Sequence, residues 1–318
     1  IGVAPGDEVI VPAMTFAATA NSVVFQGGVP IFVDVDEDTL LLNAEQVELH
    51  ITPRTKAIIA VDYAGQPCDY RALREVSDRH NLVLVADACH ALGAESHGCR
   101  VGSLADITVF SFHPVKHITT GEGGMAVTDN IEYARRMRLF RNHGISTDFR
   151  EREKQGSWHY EMVDLGFNYR MTDFQCALGI SQMHSLPDFL DRRQEIARQY
   201  TEAFQNNNDV FPLHLHPNNH HAWHLYVVKL AGRLADRKVV FQEMRVAGIG
   251  VNVHYIPVHL HPFYSHRFGY KPGLCPVAEE VYLHILSLPI WPGMSNDDVD
   301  TVIKCLHKIA NQLQQAAL

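Results

Sequence analysis

No two cysteines in this chain stand in a Cys-x-x-Cys pair, and no apolar run reaches the length of a membrane span. The six cysteines (Cys68, Cys89, Cys99, Cys176, Cys275, Cys305) are scattered. That spacing excludes a zinc ribbon and argues against a disulfide framework, and it fits reduced thiols in a cytoplasmic protein. Positive charge is also short, with 27 Lys and Arg against 36 Asp and Glu, a net charge of -9. Such a balance gives nucleic acid no electrostatic footing. There is no internal repeat, low-complexity tract or heptad run. A signal-peptide pattern is missing from the start, and so is an initiating methionine. Ile1 lies in a Gly-x-x-Pro-Gly-Asp-Glu stretch leading straight into an apolar strand, so the chain reads as a fragment cut at its amino end.

What remains is an ordinary globular composition, 46% hydrophobic and 20% charged over 318 residues. That length suits two domains or one large α/β unit. Histidine is abundant, at 20 residues, with His214, His216, His220, His221 and His224 close together. The cluster lacks the cysteines or carboxylates of a structural zinc site, so it reads as loop and surface, and no metal site is expected.

Through the first half, short β-branched runs alternate with amphipathic segments. Strands are expected at Glu8–Val11, Ile31–Val35, Ala57–Val61, Leu82–Ala86, Ile107–Phe112 and Met125–Thr128. Helices are expected at Tyr70–His80 and Ile131–Arg141 among others. This alternation predicts a mostly parallel sheet covered on both faces, with ligands at the carboxyl ends of its strands. Near Pro187 the character changes. A polar connector helix is expected over Asp188–Phe204. A strand (Leu225–Leu230), a helix (Arg237–Ala247), another strand (Val251–Tyr255) and two closing helices should follow. The last starts at a Ser295-x-x-Asp298 cap. The division is thus a large domain over residues 1–187 and a smaller α+β domain over 188–318.

Two residues at expected strand ends carry chemistry. Lys116 lies on the Gly-rich loop Ser111–Gly124, just after an apolar strand, and Asp87 ends the run Val83–Ala88. A partly desolvated lysine can form a Schiff base with an aldehyde, and a carboxylate can hold a pyridinium nitrogen. Together they make up what a pyridoxal 5'-phosphate (PLP) site needs. Read locally, Lys116 could equally be a solvated loop lysine and Asp87 a helix N-cap.

Six segments decide between those readings. They are Pro5-Gly-Asp-Glu-Val-Ile-Val-Pro-Ala-Met-Thr-Phe16, Asp87-Ala-Cys-His-Ala-Leu-Gly93, Phe110-Ser-Phe-His-Pro-Val-Lys116, Gly121-Glu-Gly-Gly124, Arg141-Asn-His-Gly144 and Gly166-Phe-Asn-Tyr-Arg-Met171. In content and order the chain resembles the DegT/DnrJ/EryC1/StrS sugar-nucleotide aminotransferases, over nearly its whole length. The resemblance implies the type I PLP-dependent transferase (aspartate aminotransferase) fold, with a mostly parallel, seven-stranded-type sheet in the large domain. It also implies that the opening segment, which cradles the cofactor phosphate, is missing here.

By that resemblance Lys116 anchors PLP and shuttles the proton, while Asp87 pairs with the ring nitrogen. Phe16 stacks on the ring, Ser111 binds the phosphate, and His90 sits beside the ring or its phenolic oxygen. Asn168 reaches the phosphate of the partner subunit's site, which makes the homodimer obligatory. His254 and Tyr255 face the sugar nucleotide. Local reading alone leaves Phe16 in the core, Ser111 bonded to backbone and His254 as a structural residue. Within the family the likeness is greatest to transaminases of the pseudaminic acid pathway, through His90, Ala60-Val-Asp-Tyr-Ala-Gly65, His254-Tyr-Ile-Pro257 and Ser287-Leu-Pro289. The implied reaction moves the amino group of L-glutamate, leaving 2-oxoglutarate, to a UDP-linked 4-keto-6-deoxy-N-acetyl sugar. Other ketosugar nucleotides (dTDP- or GDP-linked, at carbon 4 or 3) and a non-catalytic protein that keeps the fold stay open. A dehydrase of the family would carry histidine in place of Lys116.

Overall fold

The structure, a computed structural model, describes residues 1–316, apart from the side chains at positions 151, 155 and 316. In chain order the first elements are β1 (Glu8–Pro12), α1 (Ala17–Phe25), β2 (Val29–Val33), α2 (Ala44–Leu49), β3 (Thr55–Val61), α3 (Tyr70–Arg79), β4 (Val83–Asp87), β5 (Glu95–Ser96), β6 (Cys99–Arg100), β7 (Ile107–Ser111) and β8 (Gly124–Val127). There follow α4 (Ile131–Phe140), α5 (Phe149–Gln155), α6 (Asp173–Phe204), β9 (Val210–Pro212), β10 (Asn219–His220), β11 (Tyr226–Leu230), α7 (Arg237–Val246), α8 (Pro262–Phe268), α9 (Pro276–His284), β12 (Ile285–Leu288) and α10 (Asn296–Ala316).

Six strands form the main sheet, in the order β2-β1-β3-β4-β7-β8, against the seven the resemblance implies. Five are parallel, and β8 runs antiparallel to β7. The central strands are apolar because both faces are covered. Ile10, Ile58 and Leu84 are wholly buried, each contributing roughly 1.5–3 kcal/mol of burial. Strand β2 starts two residues earlier than expected and includes Pro30. A proline that would break a central strand is tolerated at this edge, where one row of donors is unpaired. Helix α3 shows why the helices form where they do. Asp69 caps it by accepting from the N–H groups of Arg71 and Ala72, and Tyr70, Leu73, Val76 and Ser77 line its buried face at three- and four-residue spacing.

Two expectations need correction. The connector helix begins at Asp173, not Asp188, and Pro187 lies inside it. A Thr172–Gln175 capping box starts this helix. An internal proline costs about 3 kcal/mol. Burial offsets it here, since Leu186 packs in one core and Ile196, Ala197, Tyr200 and Phe204 in another. Position 187 is therefore the middle of a helix. The second correction concerns Val251–Tyr255, which is not a strand. Only Asn252 bridges to Ser287, through a reciprocal pair of backbone hydrogen bonds of 3.2 and 2.8 Å. The chain then leaves the sheet and carries His254 and Tyr255 toward the ends of the large sheet.

The second half builds its own core around a three-stranded antiparallel sheet, β12-β11-β9. Helix α10 covers it, capped by Ser295 and Asp298 as the sequence predicts. All six cysteines are free thiols. Among the described residues no helix is long and apolar enough to cross a membrane, and no three His, Cys, Asp or Glu side chains converge to hold a metal. The histidines of the 214–224 cluster part company. His214 and His216 sit edge to face, while His221 and His224 are buried.

Candidate active site

The carboxyl ends of β3, β4 and β7 bring Asp62, Asp87 and Ser111 to one rim of the sheet. Between β7 and β8 the chain makes a closed loop. It is cinched by Phe112 N–H donating to the Gly123 carbonyl (2.9 Å) and Thr120 N–H donating to the Phe112 carbonyl (3.0 Å). Lys116 sits on that loop in a turn, its N–H donating to the His113 carbonyl at 2.9 Å. The next residue, His117, is buried and bonds the Ala222 carbonyl through Nε2 at 2.8 Å, which fastens the loop to the second half of the chain. So Lys116 is a half-buried residue with a defined backbone, unlike a solvated surface lysine. Burial pulls its amine below the usual lysine range, and the nearby Cys89 and Asp87 pull the other way.

Asp87 caps no helix, since residues 88–94 only form turns. Its Oδ1 accepts from the Cys89 N–H at 3.3 Å and its Oδ2 from the Thr19 hydroxyl at 2.6 Å. His90 is 6% exposed, and burial holds it neutral, far below the ordinary histidine pKa, with Lys116 adding to that effect. The Tyr255 hydroxyl and His90 Nε2 lie 3.1 Å apart. Tyr255 thus contacts the histidine implied beside the cofactor ring, a position on the cofactor side and not only the sugar side. His254 Nδ1 meets the Ser287 hydroxyl at 2.8 Å, and burial followed by Lys116 lowers its pKa to about 4. The Tyr63 hydroxyl donates to the His254 carbonyl.

Phe16 is 62% exposed, which excludes a core phenylalanine. It stands at the start of α1 with its ring 6.0 Å from that of Tyr255. Ser111 Oγ accepts from the His113 N–H at 3.3 Å, and among the described residues no protein acceptor takes its hydrogen. Asn168 stays apart from this group. It is exposed, on a segment bridged to Asn142.

These residues fit PLP. A lysine of lowered basicity lies near a carboxylate held by two donors and near a buried histidine whose Nδ1 has no partner, and the helix that bonds the carboxylate starts at an exposed aromatic ring.

Sequence reasoning missed several members. Thr19 follows Phe16 by three residues on the same helix, and that spacing was the available signal. His224, read from its histidine cluster as loop and surface, is instead buried with its ring centroid 4.3 Å from that of His90, and Arg193, which donates to the carbonyls of Trp223 and Ile290 at 2.8 and 3.0 Å, gave no signal. Asp62 was also missed. It is wholly buried, and its Oδ1 accepts from the Cys68 N–H (3.0 Å) and the Tyr70 hydroxyl (2.8 Å) while Oδ2 has no partner. Burial pushes its pKa up to about 7, the two hydrogen bonds working against that rise. A carboxyl whose folded pKa exceeds its unfolded value loses stability as pH rises from the unfolded pKa through the folded one. Asp62→Asn removes that penalty. The variant should gain on the parent between about pH 4 and pH 7, by up to about 4 kcal/mol, and hold the gain above. Urea unfolding of both proteins at a series of pH values checks this.

Comparison with known proteins agrees with the geometry. The DegT/DnrJ/EryC1/StrS aminotransferase family profile matches residues 1–307. The spore coat polysaccharide biosynthesis protein SpsC of Bacillus subtilis is 42% identical over 314 residues, 97% of this chain and 80% of SpsC. Among solved structures, the PMP-form of Spr1654, a sugar aminotransferase of Streptococcus pneumoniae by its description, superposes with a TM-score of 0.92 at 34% identity, covering 98% of this chain and 83% of that one. The Helicobacter pylori aminotransferase PseC gives 0.90 at 32%, covering 97% and 81%. The chain belongs to the DegT/DnrJ/EryC1/StrS aminotransferase family and is a PLP-dependent sugar aminotransferase.

Proposed function

We propose that this enzyme transfers the amino group of L-glutamate to carbon 4 of a UDP-linked 4-keto-6-deoxy-N-acetyl sugar, in a pathway of the pseudaminic acid type. It works in the cytoplasm as a homodimer, in which the partner's Asn168 helps to hold the cofactor phosphate. The observation that carries the reaction is Lys116, with an amine below the usual lysine range, set between Asp87 and the His90–Tyr255–His254 group. PLP, when bound, supplies the electron sink.

The protein's own residues do the rest. The Lys116 amine anchors the cofactor. As a neutral amine of lowered basicity, Nζ would take the proton from the donor's α-carbon near neutral pH. In the second half-reaction Nζ delivers a proton to the sugar carbon, and the face it occupies sets the configuration of the new amine. Asp87 would hold the proton on the ring nitrogen. Phe16, exposed at the start of α1, would stack on the cofactor ring. Buried neutral His90 and His254 add no positive charge beside Lys116 that would depress its basicity further.

The sugar assignment draws support from PseC, described as an aminotransferase of pseudaminic acid biosynthesis. The homodimer draws support from Trp158, Leu165, Tyr169 and Phe174, large apolar side chains within ten positions of Asn168 that are 66–90% exposed. The higher identity to SpsC favours a second reading, a different ketosugar destined for a surface polysaccharide. Assaying 2-oxoglutarate release with L-glutamate and a panel of UDP-, dTDP- and GDP-linked 4- and 3-ketosugars separates the two. The UDP 4-keto N-acetyl sugar is expected to have the highest kcat/KM, by at least about 100-fold. A higher value for another nucleotide transfers the assignment to the second reading.

A further inference from the structure

The two oxygens of Asp87 are held by different elements, and the bond to Thr19 comes from the helix that presents Phe16. Thr19 is 5% exposed, and its hydroxyl also lies 2.8 Å from that of Thr15, which is 2% exposed. A hydroxyl has one hydrogen, and a carboxylate only accepts. With Asp87 acting as the anionic partner of a ring nitrogen, Thr19 must give its hydrogen to Oδ2. Thr15 must then be the donor in the Thr15–Thr19 contact. The direction of the chain is therefore set: Thr15 to Thr19 to Asp87. At 2.6 Å the last bond has the length of a charge-assisted hydroxyl–carboxylate contact, and the donor behind it strengthens it.

We propose that Thr19 is a positioning residue for the reaction: it holds the Asp87 carboxylate as an oriented acceptor for the cofactor's ring nitrogen, with Thr15 as the donor behind it. This rests on the PLP site argued above. One turn of α1 thereby fixes both the ring-stacking residue and the orientation of the ring-nitrogen partner. A carboxylate held only by the Cys89 N–H at 3.3 Å would be free to rotate about its Cβ–Cγ bond. With Thr19 in place, Oδ1 and Oδ2 each have a donor and the carboxylate plane is fixed.

The test compares the parent with Thr19→Val, which keeps the shape and removes the hydroxyl, and with Thr19→Ser, which restores it. Lys116→Ala serves as the control for the PLP reading. Three quantities are measured on purified protein: the PLP dissociation constant of the cofactor-free form, the pH midpoint of the visible absorbance band, and the melting temperature without PLP. Thr19→Val is expected to weaken PLP binding about 10- to 100-fold, the worth of one charge-assisted hydrogen bond. It should also move the midpoint of the band upward, because the ring-nitrogen charge that repels a proton at Lys116 Nζ is less firmly held. Thr19→Ser should return both to within about threefold of the parent. Parent-like PLP binding and midpoint in Thr19→Val overturn the proposal, whether or not its melting temperature falls. So does failure of Thr19→Ser to rescue a defective Thr19→Val. A parent protein without any Lys116-dependent visible band overturns the PLP reading itself, and this proposal with it.

Discussion

Lys116→Ala abolishes transamination: amino transfer from L-glutamate falls by at least about 10⁴-fold, the upper range for loss of a single acid–base group, with loss of the covalent anchor added to it. The expectation follows from the loop that carries it. Hydrogen bonds at both ends of the loop and the His117–Ala222 contact hold the backbone, so truncating the side chain leaves the loop in place. Removing an amine that burial disfavours in its charged form relieves a cost, so the melting temperature of the cofactor-free protein should not fall. Steady-state assay, the visible absorbance of the PLP-loaded protein and a melting curve check the three parts. Residual activity above about one part in a thousand would place the proton transfer on another group, and His254 would be the first to test.

Gly65→Ala should have the largest effect on stability, lowering the unfolding free energy by about 3–5 kcal/mol. Gly65 has φ +110°, a backbone conformation that L-residues rarely adopt. A Cβ there would lie 2.8 Å from the His90 carbonyl oxygen and 2.9 Å from the Trp223 backbone nitrogen. Both neighbours are backbone, so neither can move aside cheaply. The contact exists because residues 222–225 pack against this turn, with the Ala222 N–H donating to the Gly65 carbonyl at 2.9 Å and the Leu225 N–H to the Ala64 carbonyl at 3.1 Å. Any adjustment would push His90 or the 222–225 segment away from the site. Urea unfolding measures the loss, and a variant within about 1 kcal/mol of the parent would show that the turn can relax.

Much of the large domain was legible beforehand, because parallel strands buried on both faces leave continuous apolar runs and their helices leave amphipathic ones. The ends of α3, α4 and β11 fall within a residue or so of expectation for that reason. Helix α6 was halved because Pro187 is locally a breaker, whereas burial of the helix in two cores decides that it continues. Val251–Tyr255 has strand-like composition, yet whether such a segment pairs depends on a free sheet edge, and here only Asn252 finds one.

The site divides the same way. Asp87 and Ser111 stand at strand ends, Lys116 on the loop that follows and Phe16 at a helix start, all in distinctive local strings, so chemistry and position could be read along the chain. The sequence by itself determined the fold class, the family and its cofactor, and pointed to the lysine–aspartate pair proposed to hold that cofactor, because a parallel sheet leaves its periodicity and the family resemblance rests on short contiguous motifs. Only the tertiary structure decided that Tyr255 meets His90, that Thr19 holds Asp87, and that the His224 ring lies against that of His90. Tyr255 and His90 stand 165 positions apart and Thr19 and Asp87 68, and hydrogen bonding and burial act on distance in space, to which local sequence is blind.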